Sequence, residues 1–258
     1  LKIIDTWMVN NLMAVNASKC FHMLVSPCIR NQASLNDCCL SVSIGNKPLS
    51  NVTSLNILGV VFTKNLSWTA HSDLVRKKMN SMIGVLKRCG RTTSTNIRLQ
   101  VYNSFIAPRL DYCLPVWGHL PKSSSIALDH CLTRMLRYVL RDAIANFEKM
   151  TCSELGLRHF EHLVARQCSA QIFDTIRNDT LSSLLNINNN AQPADSHIHT
   201  RSQGANKLYV FIPARRADDF CFQSAAPAIW NKFSNNITSA ISKCSLLNKI
   251  DAHYVSLF

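Results

Sequence analysis

Two adjacent aspartates, Asp218 and Asp219, are by type the side chains best able to hold a divalent cation, because hard cations take carboxylate oxygens. Their neighbours argue otherwise. Arg215 and Arg216 precede the pair where an apolar strand would be needed to fix both carboxylates, so the two read as surface acids matched with guanidinium groups. His159-x-x-His162 and His197-x-His199 have ligand-like spacing, yet neither pair has a third ligand at an interpretable distance. They read as solvated or hydrogen-bonded histidines, and no metal site is expected. The 11 cysteines are irregularly spaced, without a Cys-x-x-Cys, and read as free thiols of a reducing, intracellular compartment, cytoplasmic or nuclear.

Charge carries a stronger signal. Lys and Arg total 28 against 15 acids, a net +13. From Arg76 to Arg141 there are 12 basic residues, Arg98 among them, and only Asp111 and Asp129 as acids, a local net of +10. Clustered positive charge is the electrostatic footprint of a nucleic-acid binder. The competing reading is a solvated basic face with no partner. Tyr112, Trp117 and Trp230 have rings that could stack on bases, but such side chains more often fill a core or an interface.

The elements that must carry these residues are mostly helical. Apolar residues at helical spacing open the chain, from Leu1 to Leu12, which makes it read as a fragment entered inside a helix. Residues 20–26 read as a strand, 40–49 as a hairpin turning at Gly45-Asn46, and 55–62 as a single strand. Helices follow over about 73–88, 95–107 (stopping before Pro108), 125–141 and 157–177. A polar stretch from Asn178 to Gly204 reads as a linker, and an aromatic-rich tail follows from Tyr209. With 47% hydrophobic residues the chain can build a real core, and no apolar run approaches the ~18 residues of a membrane span.

Five blocks in this order resemble the back half of the reverse transcriptase of non-LTR retrotransposons, the LINE-like elements, with a jockey-like clade as one candidate. LKIIDTWMVNNLMAVNASKC resembles the helix after the catalytic hairpin and the Asn-x-x-Lys signature, here Asn16 to Lys19, with Cys20 where the family usually has Thr. LGVVFTKNLSWTAH resembles the Leu-Gly-Val strand, at Leu58, Gly59 and Val60, and the Leu-Ser-Trp-x-x-His helix entry, with Thr63 replacing a frequent Asp. VYNSFIAPRLDYCLPVWG, LTRMLRYVL and FCFQSAAPAIWNKFSNNI resemble the later blocks, with Ser234 where Pro is usual.

The resemblance implies an α+β, mostly α fold: a palm-sheet remnant at 1–66, a helical thumb or connection at 67–177, a polar linker at 178–208 and a C-terminal aromatic block at 209–258. The parent activity would be RNA-directed DNA polymerisation, with Mg2+ held by aspartates of an upstream hairpin that this chain lacks. An N-terminal polymerase part, and an endonuclease in some relatives, would be the missing partner. No catalytic residue is then expected here. Lys19 would be auxiliary, approaching the incoming nucleotide's phosphates and protonating the pyrophosphate leaving group. Leu58, Gly59 and Val60 would form the primer grip, where a Gly permits close backbone approach; the alternative is an ordinary strand with a Gly kink. Lys77, Lys78, Lys87, Arg88 and Arg91, with Arg134, Arg137 and Arg141, would meet the backbone of an RNA/DNA template–primer; no membrane partner is expected. Two other readings stay open: a stand-alone nucleic-acid-binding or structural module derived from a transposable element, and a relic without function. A palm remnant leaves an apolar face uncovered, so the first ~65 residues are expected to be less ordered than the helical region.

Overall fold

A computed structural model of the chain describes residues 2–25, 41–44, 47–88, 93–140, 159–178 and 222–255. The fold is α+β and mostly helical, and it divides into two units, Leu1–His71 and Ser72–Phe258.

The N-terminal unit begins with helix α1 (Lys2–Asn10), which buries no residue: Ile3, Ile4, Trp7 and Val9 are all exposed. A 3-10 turn (Ala17–Lys19) follows, then, among the described residues, six short strands in three two-stranded sheets. Strand β1 (Phe21–His22) is shorter than the expected 20–26 and pairs in parallel with β4 (Ser50–Asn51). The expected hairpin forms from β2 (Ser43–Ile44) and β3 (Lys47–Pro48), in the register Ser43↔Pro48 and Ile44↔Lys47. Its turn residues, Gly45 and Asn46, lie outside the described residues.

The run expected as one strand over 55–62 is two. Strands β5 (Ser54–Ile57) and β6 (Val60–Thr63) pair antiparallel, with Ile57 opposite Val60, and Leu58-Gly59 makes the turn. Both turn residues have positive φ, 48° at Leu58 and 87° at Gly59, as a two-residue type I′ turn requires. Glycine meets that requirement freely, whereas leucine reaches it only against its own Cβ. Leu58 thus lacks the Asn or Asp signature that announces such a turn. The chain then leaves β6 through a hydroxyl-stapled bend. The Ser67 amide donates to Thr63 Oγ1 at 3.1 Å, and that hydroxyl lies 2.9 Å from the Ser67 carbonyl and 2.7 Å from Asn65 Oδ1. Phe62 and Trp68 meet edge to face at 5.2 Å, which closes the bend.

Helix α2 (Thr69–Arg88) carries the chain into the C-terminal unit. Val75, Met79, Ile83 and Leu86 are buried along one side of it, the stripe that the 3.6-residue period predicts. Helix α3 (Thr95–Val101) does not stop before Pro108. It widens into a π-turn (Tyr102–Ile106) and continues as α4 (Ala107–Asp111). The Ala107 amide bonds the carbonyl five residues back, at Tyr102, and the wider turn gives the proline ring the space an α-turn would deny it.

After α5 (Leu114–Trp117), helix α6 (Lys122–Val139) buries Leu128, Leu132, Met135, Leu136 and Val139 as its spacing predicts. Helix α7 (Phe160–Asn178) is the centre of the unit. Phe160, Val164, Ala165, Cys168, Ala170, Ile172 and Phe173 are buried around most of its circumference. Helices α5 and α6 pack against it, as do α8 (Phe222–Lys232) and α10 (Lys243–Val255), with α9 (Asn235–Thr238) lying on α10. Two contacts fix α7 closely. Its first amide, at Phe160, donates to Asp129 Oδ1 of α6 at 2.7 Å, a side-chain cap from another helix. Gly118 lets it approach, since a Cβ there would sit 2.6 Å from Leu114 O and 2.8 Å from a Val164 methyl. Helix α10 is tied to both ends of α7, by Lys243 to Asp174 at the far end and by His162 Nε2, 2.9 Å from Asp251 Oδ1, at the first turn.

Candidate nucleic-acid interface

Of the basic residues expected to meet a phosphate backbone, those exposed among the described residues of the C-terminal unit sit on α2 and α6, while Arg109, also exposed, stands on α4. Lys77, Lys78, Lys87 and Arg88 are exposed on the first, Arg134 and Arg137 on the second. The two helices are held side by side by polar bonds. Arg134 Nη2 donates to Asn80 Oδ1 at 2.9 Å, and the Tyr138 hydroxyl donates to the Leu86 carbonyl at 2.5 Å. The Arg134 guanidinium is therefore anchored beside α2, and with Arg76 it counteracts the rise that burial gives the Cys131 thiol pKa.

Helical geometry sorts these charges into faces. Lys77 and Arg88 are 11 residues apart, so they lie nearly on one line, about 16 Å along the axis. Gly84 lies between them, and the Arg88 guanidinium reaches back over it, 3.9 Å from where a Cβ would stand. Lys87 follows Asn80 by seven residues and so shares the side that faces Arg134. Lys78 is nine residues before Lys87, half a turn away, and points to the opposite side. Arg76 is drawn into an ion pair with Asp73 at 2.8 Å. Lys77 and Arg88 thus form a line on α2 with Lys87, Arg134 and Arg137 on one side of it and Lys78 on the other.

One arginine of the basic cluster does not reach the surface. Arg98 is 1% exposed. Its guanidinium donates to the carbonyls of Val139 at 2.9 Å and Thr93 at 2.6 Å and to Thr95 Oγ1 at 2.9 Å. It thereby serves the C-terminal end of α6, where carbonyls lack intrahelical partners and a cation is favoured. Nothing in the local sequence distinguishes it from its exposed neighbours.

In the N-terminal unit, Lys19 is exposed at the end of the 3-10 turn. The Asn16 side chain caps that turn, accepting from the Ser18 amide at 3.1 Å. Leu58, 84% exposed, and Gly59 form the tip of the β5–β6 hairpin, while Val60 is buried at the start of β6. Arg91, Arg141, His197, His199, Asp218 and Asp219 lie outside the described residues.

The aromatic residues divide as their bulk suggests. Trp117 and Trp230 are buried, and the Trp117 indole donates to the Tyr112 carbonyl at 2.8 Å. Tyr112 itself is half exposed. His162 is buried and hydrogen-bonded to Asp251, and His159 lies 3.9 Å from Asp129. Among the described residues no group of three or more His, Cys, Asp or Glu converges, and no helix is long and apolar enough to cross a membrane.

No family model, no curated protein and no solved structure matches this chain.

Proposed function

We propose that this chain is the C-terminal part of a non-LTR retrotransposon reverse transcriptase, and that it holds the template–primer backbone without performing nucleotide addition. The order and spacing of the five sequence blocks support the family. The observation that carries the binding role is the strip of Lys77, Lys87, Arg88 and Arg134, exposed on two helices that the Asn80–Arg134 and Leu86–Tyr138 bonds hold side by side. At 3.4 Å per step, the roughly 16 Å between Lys77 and Arg88 spans about five phosphates of one strand. Contacts of this kind set position and affinity without reading sequence. On this reading Leu58-Gly59 presents a hairpin tip to the primer strand. Lys19 offers its ammonium to a triphosphate, and the metal-binding aspartates belong to the part of the parent protein upstream.

The test is binding to a labelled RNA–DNA hybrid, followed by fluorescence anisotropy between about 50 and 200 mM salt. Affinity is expected to fall steeply with salt and to be indifferent to sequence; a flat salt dependence overturns the backbone-binding role. In a parallel primer extension with magnesium or manganese the chain alone is expected to add no nucleotide. Robust incorporation would overturn the non-catalytic assignment.

A further inference from the structure

The C-terminal unit holds a cleft of about 510 Å³ where the first turns of α6 and α7 meet α8 and α10. This size falls in the range of small-molecule sites, about 300–1,000 Å³. It lies at the opposite end of α6 from the basic strip, some 18 Å from Arg134 along the helix axis.

The lining combines three chemistries. Ile229, His253 and Tyr254 give it half-buried apolar and aromatic walls, with the buried rings of Phe160 and Phe233 behind them. Those walls are fixed in place. Tyr254 stacks on His162 with centroids 4.4 Å apart, His162 is anchored to Asp251, and Phe233 meets His253 edge to face at 5.6 Å. Two exposed lysines, Lys122 of α6 and Lys232 of α8, line the cleft from different helices, and neither forms an ion pair among the described residues. Among the described lining residues the carboxylate is Glu161, which enters from α7, close enough to Tyr254 to add to the rise that burial gives its hydroxyl pKa.

We propose that this cleft binds a single unpaired nucleotide whose base carries an exocyclic amino group. A flat ring suits walls of aromatic and aliphatic side chains. The two ammonium groups, without an ion pair among the described residues, suit a phosphate. Glu161 can only accept hydrogen bonds, so it favours cytosine, whose N4 amino group offers two protons, over uracil, which sets the O4 carbonyl oxygen there and keeps only its N3–H to give. The ligand chemistry stands on the cleft alone. Its source rests on the nucleic-acid reading above: either an unpaired end of a bound strand or a free nucleotide.

Calorimetric titration of the full chain with CMP, UMP and cytidine tests the chemistry. Saturable CMP binding is expected, weaker for UMP and for cytidine. Lys122→Glu with Lys232→Glu should lower CMP affinity about tenfold or more, and Glu161→Gln should erase the preference for CMP over UMP. These three residues are exposed or at the cleft rim, so unchanged circular dichroism is the control for folding. Absence of saturable CMP binding in the millimolar range overturns the proposal. So does equal affinity for cytidine, or indifference to the lysine changes. Hybrids with and without a cytidine overhang distinguish the sources: tighter binding of the overhang, lost in the lysine variant, assigns a strand end, and equal binding assigns the free nucleotide. Blunt-hybrid affinity of the same lysine variant reports the basic strip separately, so failure of one reading is not failure of the other.

Discussion

His119 follows α5 in the interior of the C-terminal unit, with its Nε2 3.8 Å from Cys168 Sγ. Burial pushes its pKa down to about 4, against a hydrogen bond to the Pro115 backbone that works the other way. The folded protein therefore keeps this imidazole neutral down to about pH 4, while the unfolded chain protonates it near 6.5. The unfolded state binds the extra proton in between, so this residue's effect is to lower stability as pH falls through that window, by up to about 3 kcal/mol. Urea unfolding of wild type and His119→Gln at pH 7 and near pH 4.5 measures it. The loss between the two pH values is expected to be smaller in the variant, and equal losses would refute the assignment. The same burial takes the Cys168 thiol to about 12, which leaves it inert. Neither property was legible in the sequence, where His119 is one of nine histidines and Cys168 one of 11 cysteines. Arg98 makes the same point for charge: one of its partners, the Val139 carbonyl, is 41 residues away. By contrast the apolar stripes of α2 and α6 were readable residue by residue, because burial there follows the local helical period.

At the scale of elements, the β5–β6 hairpin sets a leucine against its own backbone. Leu58 at φ 48° costs about 1–2 kcal/mol relative to a residue that adopts this region readily, and the side chain recovers none of it by burial, being 84% exposed. Leu58→Asn is therefore expected to stabilise the hairpin by about 1 kcal/mol. That corresponds to roughly fivefold slower amide hydrogen exchange in β6, whereas Gly59→Ala is expected to speed it. On the proposed function the Asn variant should also bind the RNA–DNA hybrid more weakly; a variant that is more stable and binds equally well would remove the tip from the interface. The sequence announced a strand here because Leu55 to Phe62 is continuously rich in apolar and β-branched residues, and only the backbone angles reveal the reversal. Pro108 misled for a related reason. A proline ends an α-turn, but the π-turn before it lets the helix pass, and no residue type signals a π-turn in advance.

For the molecule as a whole, most of the net charge was correctly expected between Arg76 and Arg141, but its distribution over faces needed the structure. With Lys77, Lys87, Arg88, Arg134 and Arg137 meeting phosphates, the slope of log affinity against log salt is expected to be about −4.5. Replacing Lys77 or Arg88 with Ala should flatten that slope by about one. Lys78→Ala should change it least, since Lys78 lies across the Lys77–Arg88 line from Arg134; an effect as large as that of Arg88→Ala would place the strand on the other side of α2. Helix α1 leaves Ile3, Ile4, Trp7 and Val9 exposed, an apolar face near the start of the chain. The packing of α8 and α10 on α7 was not readable, because those helices are separated by more than 40 residues of sequence without a periodic signal.

The position of α7 bears on how the protein is made. Its partner α10 emerges from the ribosome only after some 70 further residues have been added. At about 5–20 residues per second, the nascent chain spends roughly 4–15 s with that helix surface facing water. During those seconds the buried side chains of α7 lack the packing that α8 and α10 give them in the finished fold, so chaperone binding to the nascent chain is expected. Yield of soluble protein in cells should therefore depend on chaperone supply and translation speed more than on the stability of the finished fold.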